Sequence, residues 1–130
     1  MNISVIMKND LLGEIDSIIS VSADKNIHFY DENNYDFCDI PFGLLEEQTS
    51  LGNKAIYQFF SLDESPTIRG TVTSSGVVKT FKIFGNGTLD NPLISGTVGS
   101  FTSSADMKFN KTSWITGMNI AISNLYLVIN

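Results

Sequence analysis

A single histidine, His28, and a single cysteine, Cys38, set a tight limit on the chemistry this chain can perform. A Ser-His-Asp relay or a histidine-based metal centre would rest wholly on His28. That residue lies in Ile27-His28-Phe29-Tyr30 with no companion motif, so it reads as a structural strand histidine, and no residue is assigned as catalytic. Four carboxylates follow it: Asp31, Glu32, Asp36 and Asp39. Carboxylates and Asn carbonyls are ligands that a hard cation takes, but this spacing lacks the alternating ligands and central Gly of an EF-hand loop. The stretch therefore reads as a solvated loop, and no metal and no cofactor are assigned. Cys38 has acidic neighbours that raise a thiol pKa, so it is expected to be inert. It also leaves no internal disulfide and no cysteine-based zinc site. Gly85-Asn86-Gly87 starts like a phosphate loop but lacks the Lys-Ser or Lys-Thr helix that would complete one, and it reads as a hairpin turn. Trp114, the only tryptophan, stands in a polar setting. Two readings stay open for it, a core plug and an exposed anchor that grips a protein or stacks on a sugar.

The elements that must position these residues are mostly strands. Leu11, Leu12, Ile15, Ile18 and Ile19 fall on one helical face, so an amphipathic helix is expected from Asp10, capped by Asn9 or Asp10. Ile27–Tyr30 then alternates as a strand, with Ile27 and Phe29 on one face and His28 and Tyr30 on the other. Residues Asp31 to Gly43 are expected to form a loop carrying at most a short strand, because Pro41 denies a ladder donor. Leu44-Leu45-Glu46-Glu47-Gln48 is too short to type. Further strands are expected at 55–62, 67–73, 77–84 and 93–98, with Val77, Lys79, Phe81 and Ile83 sharing a face. The last third spells three short β segments separated by Gly, Ser, Asn and Thr. Its final run, Asn119 to Ile129, is apolar on both faces, as a doubly covered strand would be.

Seven or eight short strands at roughly ten-residue spacing predict a mainly β fold, an antiparallel β-sandwich of jelly-roll type with one N-terminal amphipathic helix. Residues 1–9 read as an arm or edge strand and 10–130 as a single domain; no repeat or linker divides it. The net charge of −6 and scattered Lys and Arg argue against nucleic acid as a partner. No run approaches a membrane span, and Met1–Lys8 lacks a basic leader, so a soluble protein made in the cytosol is expected, with no membrane partner.

Gly96-Thr97-Val98-Gly99, then Ala105-Asp106-Met107, Phe109-Asn110, Thr112-Ser113, Gly117 and Ile120-Ala121-Ile122-Ser123 resemble the C-terminal signature of small tailed-bacteriophage virion proteins. The early helix, the strand Ile27–Tyr30 and the strand Val77–Phe84 are similar to that family as well, so the resemblance spans about Asp10 to Ile129. Departures are Ser103-Ser104 where the family often has Ser-Gly, the bulkier Phe101 and Trp114, and Asp31-Glu32 after the first strand. The resemblance implies a non-enzymatic structural protein of a phage or prophage virion, such as a capsid decoration, head-to-tail or tail accessory subunit. Its implied partners are other virion proteins and further copies of itself. Candidate contact residues are Ile3 and Val5 in the arm, Tyr35, Phe37 and Phe42 in the acidic aromatic loop, and Trp114. The alternative reading is a carbohydrate or host-surface binding module, since exposed aromatics on β-sandwiches also serve that role.

Overall fold

The structure, a computed structural model, describes residues 13–15, 17–19, 22, 24–48, 55–85 and 92–129. The chain is mainly β, with eleven short strands among the described residues. They are β1 (Asn26–Asp31), β2 (Asp36–Pro41), β3 (Leu44–Glu47), β4 (Ala55–Phe60), β5 (Thr67–Thr71), β6 (Gly76–Phe84), β7 (Pro92–Ser100), β8 (Met107–Phe109), β9 (Ser113–Trp114), β10 (Asn119–Ser123) and β11 (Tyr126–Ile129). The largest sheet runs β2-β1-β6-β7-β8, with β9 paired to β6. A two-stranded sheet, β10-β5, and a three-stranded sheet, β11-β4-β3, complete the set. A bridge between Cys38 and Val72 ties β2 to the chain just beyond β5. All strand pairs are antiparallel except β7 and β8.

Local features of three segments change the expected picture. The stretch read as a loop holds β2, a full six-residue strand. Its Pro41 sits at the strand's last position, opposite Asn26, where little of the ladder remains to be interrupted. On β6 the register against β1 shifts between Tyr30 and Asp31, so Tyr30 faces Thr80 while Asp31 faces Val78. Lys79 is the residue skipped by this bulge. It is exposed and Val78 is buried, which corrects the expectation that Lys79 shares the inner face with Phe81 and Ile83.

The final run is not one strand covered on both faces. It is two strands in different sheets, β10 against β5 and β11 against β4. Asn124 adopts a left-handed backbone conformation, φ 56°, and its N–H donates to the Pro66 carbonyl at 2.9 Å. This break moves the inward phase from even to odd positions: Ile120 and Ile122 pack inward before it, Leu125 and Leu127 after it. Tyr126 and Val128 point outward and are exposed. Apolar residues on both faces therefore arise from a phase change, and short polar residues such as Asn adopt that conformation at least cost.

The parallel β7–β8 pair is joined by only a few residues, a connection that normally needs a dozen or more. A polar clasp makes it possible. The Asp106 carboxylate accepts from the Thr97 N–H at 2.9 Å and the Thr97 hydroxyl at 3.1 Å, while the Asp106 N–H donates back to Thr97 Oγ1 at 3.1 Å. The loop folds tightly over β7. A Cβ at Gly96 would meet Asp106 Oδ2 at 2.8 Å, and one at Gly99 would run into the Ser103 hydroxyl. The Gly-Thr-Val-Gly and Ala-Asp segments thus have a local steric and hydrogen-bonding reason to occur together.

Aromatic packing dominates the core. Trp114 is stacked on Phe37 (centroids 5.7 Å apart) and meets Phe29 and Phe109 edge-on at 5.4 and 5.2 Å. Its indole N–H donates to the Lys111 carbonyl at 2.8 Å, so the ring is buried without an unpaired donor. Helical residues 13–15 and 17–19 agree with the expected amphipathic helix: Ile19 is buried in the core and Ile15 packs against it.

Candidate functional site

The charged centre of the molecule is built around His28. Its ring is almost wholly buried, with the side chain 8% exposed, and both ring nitrogens face carboxylates. Nε2 lies 2.7 Å from Asp24 Oδ2, and Nδ1 lies 2.9 Å from both Asp36 Oδ2 and Asp39 Oδ1. The Phe84 ring closes the remaining side edge-on, 5.4 Å between centroids. On the neighbouring strand Lys82 pairs with His28 across the ladder, but its ammonium rests 4.8 Å from the centre of the Tyr30 ring.

Local backbone irregularities place each carboxylate. Asp36 and Asp39 are three residues apart and would point to opposite faces of a regular strand. The β1–β2 register shifts between Phe29 and Tyr30, with Cys38 opposite Phe29 and Asp36 opposite Tyr30. Phe37 is the extra residue, and the bulge returns Asp36 to the face that Asp39 and His28 share. Asp24 is oriented by a turn, its Oδ1 accepting from the Asn26 N–H at 3.1 Å and the Asn26 side-chain amide at 3.0 Å. Asp31, by contrast, takes no part. Its carboxylate accepts the N–H groups of Asn33 and Tyr35 at 2.8 and 3.0 Å and shapes the β1–β2 turn.

Burial works to lower the His28 pKa, but hydrogen bonds to Asp36, Asp39 and Asp24 outweigh it and raise the value to about 10. The carboxylates thus favour the imidazolium form, with a proton on each nitrogen. In that state it has no lone pair with which to act as a general base. Burial opposes ionisation of Asp39, but hydrogen bonds from His28 and Asp36 hold it below the usual carboxylate range. Asp36 moves up instead, through burial and through its contact with the second carboxylate. Tyr30, partly buried and close to these anions, rises to about 12.

Cys38 is buried on the opposite side of β2. Burial, followed by the charges of Asp39 and Asp36, pushes its thiol up to about 12, in line with the expected inertness.

The candidate contact residues separate clearly. Tyr35 is 63% exposed at the β1–β2 turn. Phe37, Phe42 and Trp114 are buried and cannot serve as surface anchors: Phe37 and Trp114 stack on each other, and Phe42 packs edge-on against Phe59. Trp114 is the core plug of its two readings, and a buried indole cannot stack on a sugar. Ile3 and Val5 lie outside the described residues.

Of the other exposed large apolar side chains, Phe101 and Ile115, at 66% and 59% exposure, join Tyr35, while Leu62, at 76%, lies apart between β4 and β5. Asp31 faces Val78, Ser113 faces Val77, and Thr97 faces Thr80. The β1–β2 turn, the β7–β8 loop and the turn after β9 therefore all lie at the end of the sheet where β6 begins. The Ser75–Thr116 hydrogen bonds hold the last of these against the start of β6. The available signal was the placement of single bulky apolar residues inside polar turns.

Comparison with protein-family models, curated proteins and solved structures returned no match. Among the described residues no helix is long and apolar enough to cross a membrane.

Proposed function

We propose that this chain is a non-enzymatic structural subunit of a tailed-phage or prophage virion that acts by protein–protein contact, as a capsid decoration, head-to-tail or tail accessory protein. The observation that carries a contact role is the loop end described above. Three turns from separate parts of the chain each expose one large apolar side chain, Tyr35, Phe101 and Ile115, at the same end of the sheet. Large rigid apolar side chains in such a setting supply contact energy when a partner covers them. The virion assignment rests on the resemblance of the C-terminal segments, whose Thr97–Asp106 clasp is a compact local unit.

The architecture fits a sandwich of jelly-roll type. A small cavity of about 90 Å³ is lined by Phe59, Leu125 and Leu127 on one side and by Phe81, Ile83 and Ile94 on the other. The β4–β11 sheet would then cover the β6–β7 part of the large sheet. Self-association in the particle would use the same loop end or the outer side of β11, whose exposed residues are Tyr126 and Val128.

The test is mass spectrometry of purified particles, with stoichiometry measured against the major capsid protein. A fixed ratio is expected, in the hundreds for decoration and about six or twelve at a neck or tail. Absence of the chain from particles would remove the proposal.

A further inference from the structure

We propose that His28, Asp36 and Asp39 form a site for a zinc-class divalent transition metal, with Asp24 as the positioning residue that orients the histidine. The ligand atoms of the three residues lie within 4.8 Å of one another, and Nδ1 is 2.9 Å from an oxygen of each carboxylate. Nitrogen and oxygen ligands about 2.1 Å from one ion stand about 3.0–3.4 Å from each other, so modest adjustment would admit the ion between them.

Two features set this cage apart from an ordinary structural histidine. A single Nδ1–H has one proton to give, yet two carboxylates close on it from the same strand. Lys82, opposite His28 across the ladder, rests on the Tyr30 ring instead of on these carboxylates and leaves them for a divalent ion.

The second feature is Asp24. A metal-bound histidine almost always donates its other ring N–H to a carboxylate or carbonyl, which fixes the tautomer and aims the free lone pair at the ion. Nε2 makes this contact here at 2.7 Å, with Asp24 itself held by the turn at Asn26. One imidazole and two carboxylates suit zinc and its first-row neighbours, whereas calcium favours a larger set of oxygens. The thiol of Cys38 faces the other side of β2 and adds no sulfur ligand. Asp39 is half-exposed, so water can complete the coordination. The ion would take neutral His28 through Nδ1 and one oxygen each of Asp36 and Asp39, with every proton it displaces released to solvent.

Metal-stripped full-length protein titrated with Zn²⁺ and, separately, Ca²⁺ at pH 7.5 provides the test, read by calorimetry and thermal unfolding. One Zn²⁺ per chain is expected, with a higher Tm. Ca²⁺ should bind at least tenfold more weakly. Asp36→Asn and Asp39→Asn should each weaken Zn²⁺ at least tenfold, and Asp24→Asn about 10- to 100-fold with the 1:1 ratio kept. Should these variants fail to fold, Co²⁺ added to the wild-type chain supplies an independent readout, since a mixed nitrogen–oxygen site gives visible absorption bands that Zn²⁺ abolishes. No saturable Zn²⁺ binding up to millimolar concentration, or undiminished binding in a folded Asp36→Asn/Asp39→Asn double variant, overturns the assignment.

Discussion

At the scale of single residues, His28 and its three aspartates are the most consequential feature, and they were only half legible in the sequence. Alternation in Ile27-His28-Phe29-Tyr30 correctly separates the polar face from the apolar one. Nothing in the spacing of Asp36 and Asp39 shows that both reach the histidine, because the bulge at Phe37 that brings them together is a backbone event. His28→Asn is expected to destabilise the metal-free protein by about 2 kcal/mol in urea denaturation. That is less than the cost of breaking a fully buried pair, since Asp36 and Asp39 retain solvent contact. The pH dependence has a definite sign. The folded His28 pKa lies above its ordinary value, so its contribution is complete below about 6.5 and fades as pH rises toward about 10. Cys38 acts in the same direction in a higher window, from about 9 to about 12, because the unfolded thiol ionises first. In a chelating buffer the urea midpoint should fall steadily from pH 7 to 10. Cys38→Ala should flatten the loss above pH 9 alone.

At the scale of elements, turns and phase breaks decide what periodicity leaves ambiguous. β1, β4, β5 and β6 were legible as strands, although the alternation expected along β6 fails at its bulge. β2 was hidden by its acidic composition and by Pro41, and the split between β10 and β11 was hidden because a one-residue phase change makes two half-buried strands resemble one buried strand. Asn124 carries that change, so Asn124→Gly should be close to neutral, while Asn124→Val should cost about 1–2 kcal/mol by urea denaturation. The Thr97–Asp106 clasp makes a second test. Asp106→Ala removes acceptors of two hydrogen bonds and is expected to cost about 1 kcal/mol, with faster amide exchange confined to the β7–β8 loop. Gly99→Ala should produce the same local loosening, because its methyl group would displace Ser103.

At the scale of the whole molecule, the large apolar residues divide into those that build the core and those left outside it. Phe37 reads in the sequence as a surface contact and Trp114 as either a core plug or an exposed anchor, and bulges and short strands turn both inward, where they pack together. Trp114→Ala should therefore cost about 3–5 kcal/mol, and the wild-type tryptophan fluorescence should be that of a buried indole. Tyr35, Phe101 and Ile115 remain outside, on loop tips whose shared position only the strand registers disclose. The proposed virion role puts its contact surface at that end of the molecule. The direct measurement is incorporation of a Tyr35→Ser/Phe101→Ser/Ile115→Ser chain into particles, quantified against wild type after both have been shown to unfold at the same urea midpoint. The variant is expected to fall at least tenfold in copies per particle; incorporation at the wild-type ratio would contradict the account.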